Sequence, residues 1–205
     1  ACAPYRRLHV CDKNMEKMEK MGKTSKTSTD TLLAEVCMAA YYEGDLIKTH
    51  YTEHQVTNRD TKSQLCTVLA RSFADIGDIV RGKDLYLGYD DEEKKRRDKL
   101  ENNLKEIFKK IQEKLIGDAK THYEDATGNF FQLREDWWTA NRHTVWEAIT
   151  CDEDKKLKDA SYFRTTCSDE QGGAQANNKC RCVKNDVPTY FDYVPQYLRW
   201  FEEWA

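Results

Sequence analysis

The sequence has no long apolar run and no excess of charge of either sign. No stretch of about 18 apolar residues occurs, so no segment is predicted to span a membrane. The N-terminus lacks the apolar run of a signal peptide, and we expect the chain to be a piece of a longer protein. Charged residues make up 34% of the 205 residues, but the formal net charge is only −3. This balance gives no global indication of binding to nucleic acid or to a membrane surface.

Asn-x-Ser/Thr sequences are also absent, so no N-linked glycan is predicted to cover the surface. The eight cysteines, in contrast, are an even count at a density that favours disulfides formed in an oxidising compartment. A zinc site is the alternative, but one residue separates Cys180 from Cys182, whereas zinc knuckles usually have two to four. No second close pair exists and no histidine lies near. Disulfides are therefore predicted for the whole set: Cys2, Cys11, Cys37, Cys66, Cys151, Cys167, Cys180 and Cys182.

Apolar residues at helical spacing predict five helices. Their approximate ranges are 30–44, 62–80, 98–115, 131–150 and a last helix that begins at Pro195. Gly44 is placed to end or bend the first helix, and Gly82 and Gly117 are placed to end the next two. Gly77 indicates close approach by another helix. Residues 151–194 are polar and cysteine-rich, which predicts a loop closed by disulfides, and no convincing alternating strand appears. The expected fold class is all-α, a disulfide-linked helical bundle with a cysteine-rich loop.

Two aspartates on the second predicted helix, Asp75 and Asp78, are candidates for acid–base chemistry. Such chemistry needs two acids in one cleft whose environments push their pKa values apart. Arg71 lies four residues before Asp75, and Arg81 lies three residues after Asp78. A neighbouring arginine on the same helix lowers the pKa of an acid. The spacing therefore favours structural ion pairs over catalysis.

Two groups of basic residues are candidates for binding a polyanion. Residues 1–30 hold seven Lys or Arg and four Asp or Glu, and the first group lies there: Lys13, Lys17, Lys20, Lys23 and Lys26. The second group lies at and near the third predicted helix: Arg96, Arg97, Lys99, Lys109 and Lys110. A solvated charged face is the alternative interpretation. Polyanion binding would release counterions and weaken with salt, and the lack of interleaved aromatics does not support nucleic-acid stacking.

Residues 50–54, HYTEH, fit the H-x-x-E-H pattern of an inverted zinc-protease motif. On a helix, His50 and His54 would share a face and could bind zinc, with Glu53 between them. A third ligand is needed, and the following segment has a weak helical pattern. Surface histidines are the alternative interpretation, so neither an enzyme nor a cofactor is expected.

Five segments resemble the Duffy-binding-like fold of malaria-parasite adhesins, and the resemblance is closest to the alpha class found near the N-terminus of the variant erythrocyte membrane proteins. They occur in the family's order and span essentially the whole chain: CAPYRRLHVC (2–11), LLAEVCMAAYYEGD (32–45), ARSFADIGDIVRGKDLYLG (70–88), WWTANRHTVWEAITC (137–151) and VPQYLRWFEEWA (194–205). The resemblance implies an extracellular, all-helical adhesion domain on the infected red cell, carried by a larger membrane-anchored protein. It also implies rosetting, antigenic variation, and host receptors, sulfated glycans and host antibodies as partners, with no nucleic acid and no membrane insertion by this fragment.

The full family domain is longer, and the resemblance implies a division of this chain into three parts. Residues 1–29 resemble the end of the first subdomain, 30–194 the second, and 195–205 the start of a long helix of the third. Cys2 and Cys11 would then pair with cysteines upstream of the chain. The resemblance implies that Cys66 pairs with either Cys180 or Cys182, and the short intervening loop suggests a pair of Cys151 with Cys167. Six cysteines allow fifteen pairings, so these remain expectations.

Two modes of adhesion follow from this interpretation. In the first, the basic groups form charge-assisted hydrogen bonds to sulfates of heparan-sulfate-like glycans. In the second, a protein receptor binds an exposed aromatic surface, with Trp137, Trp200 and Tyr86 as candidate anchors. Core packing of these aromatics is the alternative.

Overall fold

The computed structural model describes residues 2–20, 28–55, 62–153, 155–158, 160–162, 164–169, 172–176, 179–182 and 186–205. Within these ranges the chain is mainly helical, as predicted. Its helices are α1 (Tyr5–Leu8), α2 (Ser28–Gln55), α3 (Lys62–Arg81), α4 (Asp91–Glu113), α5 (Gly117–His122), α6 (Phe131–Ile149) and α7 (Gln196–Trp204), with short 3₁₀ helices at Met15–Lys20 and Phe191–Tyr193. None of the described helices is both long and apolar enough to cross a membrane.

Helix α3 lies at the centre of the bundle and is buried on nearly all sides from Leu65 onwards. A helix surrounded in this way needs neighbours on every face, and α1, α2, α6 and α7 all contact it. Phe73 packs between two tryptophans of α6, with ring centroids 5.1 Å from Trp138 and 5.2 Å from Trp146. These rings are fully buried and form the middle of the core.

Two glycines allow helices to approach α6 closely. A Cβ on Gly77 would lie 2.7 Å from the Trp138 ring, which confirms the predicted close approach. A Cβ on Gly44 would lie only 2.0 Å from the carbonyl oxygen of Ile149. The predicted end of the helix at Gly44 is wrong, because this glycine lies inside α2, which continues to Gln55. Gly82 does end α3, with a φ of +73°.

Helix α4 begins seven residues earlier than the predicted start at Asp98. The Asp90 carboxylate accepts a hydrogen bond of 2.8 Å from the backbone N–H of Glu93 and caps the helix. Three acids follow in the first turn, where the helix dipole favours negative charge. The prediction that Gly117 ends the third helix is also wrong, since α4 ends at Glu113 and Gly117 begins α5.

The cysteine-rich segment contains a small antiparallel hairpin that the sequence pattern did not predict: β1 (Cys167–Asp169) pairs with β2 (Gly172–Ala174). Cys66 of α3 forms a disulfide with Cys180, which confirms one of the two expected pairings for Cys66. Cys167 pairs with Cys182, so the expected Cys151–Cys167 bond is wrong. Cys167 lies in β1 and Cys182 follows β2, so the bond joins two parts of the segment that the unpredicted hairpin connects. The remaining four cysteines, which include Cys151, form no disulfide in the described chain.

Candidate functional site

A groove of about 680 Å³ lies between the N-terminal segment, α2 and the start of α4. Three residues of the predicted basic groups line it: Lys13, Arg96 and Arg97. Three apolar or aromatic residues also line it and are largely exposed: Tyr42, Leu46 and Tyr89 at 53%, 46% and 72%. We refer to this site as the N-terminal groove.

Hydrogen bonds fix the N-terminal segment that forms one wall of the groove. The side-chain amide of Asn14 donates to the backbone oxygen of Glu35 at 2.7 Å and to its carboxylate at 2.9 Å. The backbone N–H of Cys11 donates to the Glu43 carboxylate at 3.0 Å, and the Ser72 hydroxyl donates to the same carboxylate at 2.7 Å. Burial raises the pKa of Glu43 despite these donors. The wall is therefore anchored to both α2 and α3.

Arg96 and Arg97 are held by carboxylates of the protein itself. Arg96 pairs with Glu16 at 2.7 Å and with Glu93 at 2.8 Å. Arg97 pairs with Asp12 and, at 2.8 Å, with Glu93. Burial opposes the charged form of Arg97, but Asp12 and Glu93 raise its pKa. These ion pairs dock the N-terminal segment on α4 and leave little of the arginine charge for an external anion.

The predicted lysines are only partly brought together. Lys13 and Lys17 are exposed on the N-terminal segment, where Lys13 lines the groove, and Lys99, Lys109 and Lys110 are exposed along α4. The Lys20 side chain, and Lys23 and Lys26 altogether, lie outside the described residues. Their role in polyanion binding stays a prediction.

The three predicted aromatic anchors are not exposed. Trp137, Trp200 and Tyr86 are only 6%, 3% and 7% exposed, so the core-packing alternative is correct for all three. Sequence reasoning missed Tyr42, although Tyr41 and Tyr42 are adjacent on one helix. Adjacent residues on a helix point about 100° apart, so two neighbouring rings do not both fit one buried stripe, and at least one is expected to face outward.

Only one of the three candidate zinc-site side chains is described, so the structure does not bring them together as a site. His50 is exposed on α2, while the side chains of Glu53 and His54 lie outside the described residues. Among the side chains that the structure does describe, no group of three or more could hold a metal ion.

Asp75 and Asp78 lie in a buried network of ion pairs rather than in an open cleft. Asp78 pairs with Arg81 at 2.8 Å, as predicted, but Asp75 does not use Arg71. Its partners come from outside the helix, with Arg6 at 2.7 Å and Arg199 at 2.8 Å. Both carboxylates therefore serve to hold elements together.

The pKa values of the two acids shift in opposite directions. Burial raises the pKa of Asp75, but the charges of Arg6, Arg199 and Arg7 outweigh it and lower the pKa below its ordinary value. For Asp78, burial prevails over Arg199 and Arg81 and raises the pKa to about 6. The predicted lowering is thus correct for Asp75 and wrong for Asp78, because the sequence pattern gives no measure of burial.

Comparison with known proteins gives a family match along nearly the whole chain. A family model described as the Duffy binding domain matches residues 1–199. No curated protein sequence matches the chain significantly. Solved structures do match, and all three described next come from the membrane protein PfEMP1.

The NTS-DBL1(alpha-1) domain from the Plasmodium falciparum varO strain is 42% identical over 100% of this chain and 43% of that chain, with a TM-score of 0.77. The double domain of NTS-DBL1-alpha and CIDR-gamma from the same strain is 41% identical over 100% of this chain and 27% of that one, with a TM-score of 0.79. A DBLβ domain bound to human ICAM-1 is 30% identical over 97% and 38% of the two chains, with a TM-score of 0.72. The chain thus spans less than half the length of each of these relatives.

Proposed function

The chain belongs to the Duffy-binding domain family, and we propose on that premise that it is an adhesion module that binds a protein receptor on host cells. The proposal includes its location on the outer face of the infected erythrocyte, as part of a larger membrane-anchored protein. It also includes recognition by host antibodies, since exposed loops on a rigid frame tolerate sequence variation. Relatives of the DBLβ type that bind ICAM-1 support a protein as the receptor.

The N-terminal groove is the observation that carries this proposal. Tyrosine is a rigid, amphipathic side chain that loses little conformational entropy on binding, and aromatic residues dominate interface hot spots. Tyr42 and Tyr89 are both mostly exposed at the edge of one concave surface. The wall beside them is held by hydrogen bonds to Glu35 and Glu43, so the surface does not have to be ordered on binding.

Binding to immobilised human ICAM-1, and to erythrocytes and endothelial cells, tests this proposal. We expect Tyr42→Ala and Tyr89→Ala each to weaken binding about tenfold or more, with little effect of salt. Tyr197→Ala removes an equally exposed tyrosine, 52% against 53% for Tyr42, from outside the groove and is the control. Binding that survives both groove substitutions, or that falls equally with the control, would contradict the proposal for this surface.

A sulfated glycan is the second candidate ligand, favoured by the exposure of five predicted basic residues: Lys13, Lys17, Lys99, Lys109 and Lys110. Retention on a heparin column should then require more than physiological salt for elution, because bound lysines release counterions. Lys13→Glu with Lys17→Glu should advance elution, whereas Lys158→Glu, at another exposed lysine, should change it less. Elution at or below physiological salt that neither variant alters would count against a glycan.

A further inference from the structure

The N-terminal wall of the groove begins where helix α1 ends. Residues 8–14 line the groove, and Leu8 is the last residue of α1. A helix of four residues is too short to be stable on its own, since isolated helices of fewer than about 12 residues are marginal in water. The position of α1, and with it the start of the wall, therefore depends on what the side chains of α1 contact.

Arg6 of α1 connects the wall to α7 and to α3. Its Nε and Nη2 donate to the two carboxylate oxygens of Glu203 on α7, at 3.1 Å and 2.9 Å. Its Nη1 donates to the Asp75 carboxylate of α3 at 2.7 Å. Burial opposes the charged form of Arg6, but Asp75 and Glu203 raise its pKa above the ordinary value. A bidentate pair of this kind fixes the orientation of the arginine as well as its position.

Two further contacts join the same N-terminal segment to α7. Arg7, which is fully buried, donates to the Asp84 carboxylate at 3.1 Å, and Gln196 at the start of α7 donates to that carboxylate at 2.8 Å. At the other end of α7, the Trp204 indole N–H donates to the backbone oxygen of Cys2 at 2.9 Å. Both ends of α7 are therefore connected to the segment that leads into the groove wall, one of them through Asp84.

A chain of hydrogen bonds inside the core leads from Arg6 to the middle of the wall. Arg6 Nη1 donates to the Ser72 hydroxyl at 3.0 Å, and this hydroxyl donates to Glu43 at 2.7 Å. Glu43 in turn accepts the backbone N–H of Cys11, which lines the groove, at 3.0 Å. Ser72 and Glu43 are both buried, so little water competes for these hydrogen bonds. Arg6 therefore reaches the wall both along the chain and through α3 and α2.

We propose that Arg6 is a positioning residue for the N-terminal groove, through which the docking of α7 sets the shape of the groove and its affinity for a receptor. The inference rests on the proposed adhesive function for the role of the groove, whereas the network that carries it involves no receptor. Coupling between two sites is reciprocal. A partner that fills the groove should therefore hold α7 more firmly, and a contact that displaces α7 should weaken binding in the groove.

Amide hydrogen exchange of the free ¹⁵N-labelled chain, followed by NMR, tests this connection without any receptor. Glu203→Gln removes the charge that Arg6 meets on α7 but keeps the shape of the side chain. We expect the His9 and Cys11 amides, which donate to the Arg6 backbone and to Glu43, to exchange about fivefold or more faster. The amides of α7 should accelerate by a similar factor, because opening of either element breaks the same contact.

Glu202→Gln is the matched control on the same helix. The Glu202 side chain is 50% exposed and lies 4.0 Å from Arg71, so its loss should change exchange of the wall amides less than about twofold. Acceleration confined to α7, no change at either element, or equal acceleration in both glutamine variants would overturn the proposal. None of these results bears on the adhesive function, because no receptor enters the measurement.

Ser72→Ala gives a second measurement, because it removes the hydroxyl between Arg6 and Glu43 while alanine suits the interior of a helix. Residues that share one partner have non-additive effects. The acceleration of the Cys11 amide in the double variant with Glu203→Gln should therefore differ by about twofold or more from the product of the two single effects. A double variant that equals this product would mean that the two anchors act independently, which would contradict the proposal.

The receptor-binding assay described for the groove separates this inference from the adhesive function. Glu203→Gln should weaken binding about fivefold or more, although Glu203 does not line the groove, and Glu202→Gln should leave it unchanged. Binding that Tyr42→Ala weakens but Glu203→Gln does not would overturn the inference and leave the adhesive function standing.

Discussion

Arg199 of α7 and Asp75 of α3 form an ion pair of 2.8 Å in which neither side chain is more than 1% exposed. Arg199 also donates to Asp78 and to two backbone oxygens, while Arg6 joins Asp75 to Glu203 of α7. The polar side of α7 therefore faces the core. Its apolar residues Tyr197 and Phe201 remain 52% and 71% exposed. Buried ion pairs, together with the buried ring of Trp200, therefore hold this helix on the bundle.

Removal of Arg199 should be strongly destabilising. Arg199→Met leaves Asp75 and Asp78 buried with fewer countercharges, and loss of one member of a buried ion pair costs about 3–5 kcal/mol. Urea unfolding with the disulfides intact measures this loss. Lys105→Met is the control, since its contact with Glu101 at 3.9 Å is one-third exposed and should be worth less than about 1 kcal/mol. Similar losses for the two variants would contradict the importance of the buried network.

The contribution of Asp75 should depend on pH. Because its pKa is lower in the folded chain than its ordinary value of 3.8, the stability that it provides is present above about pH 4 and is lost as the pH falls. We expect Asp75→Asn to cost about 3 kcal/mol at pH 7 and progressively less below pH 4, where the protonated acid resembles asparagine. Asp78 has a raised pKa, so protonation of its carboxylate between about pH 6 and 4 stabilises the folded chain. The Asp75 charge is one of the causes of that raised pKa, so the difference in unfolding free energy between the two proteins contains the response of Asp78 as well. A difference that does not shrink in acid would contradict this assignment.

Local signals predict much of the fold but not the arrangement of the site. Helix α3 and its end at Gly82 were predicted correctly, because an apolar repeat and a helix-ending glycine with positive φ are signals carried by a few neighbouring residues. The partners of Asp75 could not be predicted, since Arg6 and Arg199 lie 69 and 124 residues away in the sequence. The N-terminal groove was missed in the same way, because Tyr42 on α2 and Tyr89 just before α4 are far apart in the sequence and line one groove only in the folded chain.

Gly44→Ala should destabilise the bundle although alanine is the better helix former. In an open helix this change gains about 1 kcal/mol, but here the added Cβ would lie 2.0 Å from a backbone oxygen of Ile149, which cannot rotate away. We expect a net loss of about 1–3 kcal/mol, as for other overpacked sites, measured by thermal unfolding. Gly117→Ala is the control, because nothing lies within 4 Å of its Cβ position and only its φ of +58° adds strain. A stabilised Gly44→Ala variant would show that α2 and α6 are further apart than described.

The two disulfides should contribute unequally to stability. Cys66–Cys180 closes a sequence separation of 114 residues and Cys167–Cys182 one of 15. Chain entropy then predicts losses of about 5 and 3 kcal/mol for the double variants Cys66→Ala/Cys180→Ala and Cys167→Ala/Cys182→Ala, because the longer loop restricts the unfolded chain more. Denaturant unfolding measures both, with the exposed Cys2→Ala as a control that should have little effect. Peptide mapping without reduction must first find these two linkages; a Cys151–Cys167 peptide, or a larger loss from the shorter loop, would contradict the described pairing.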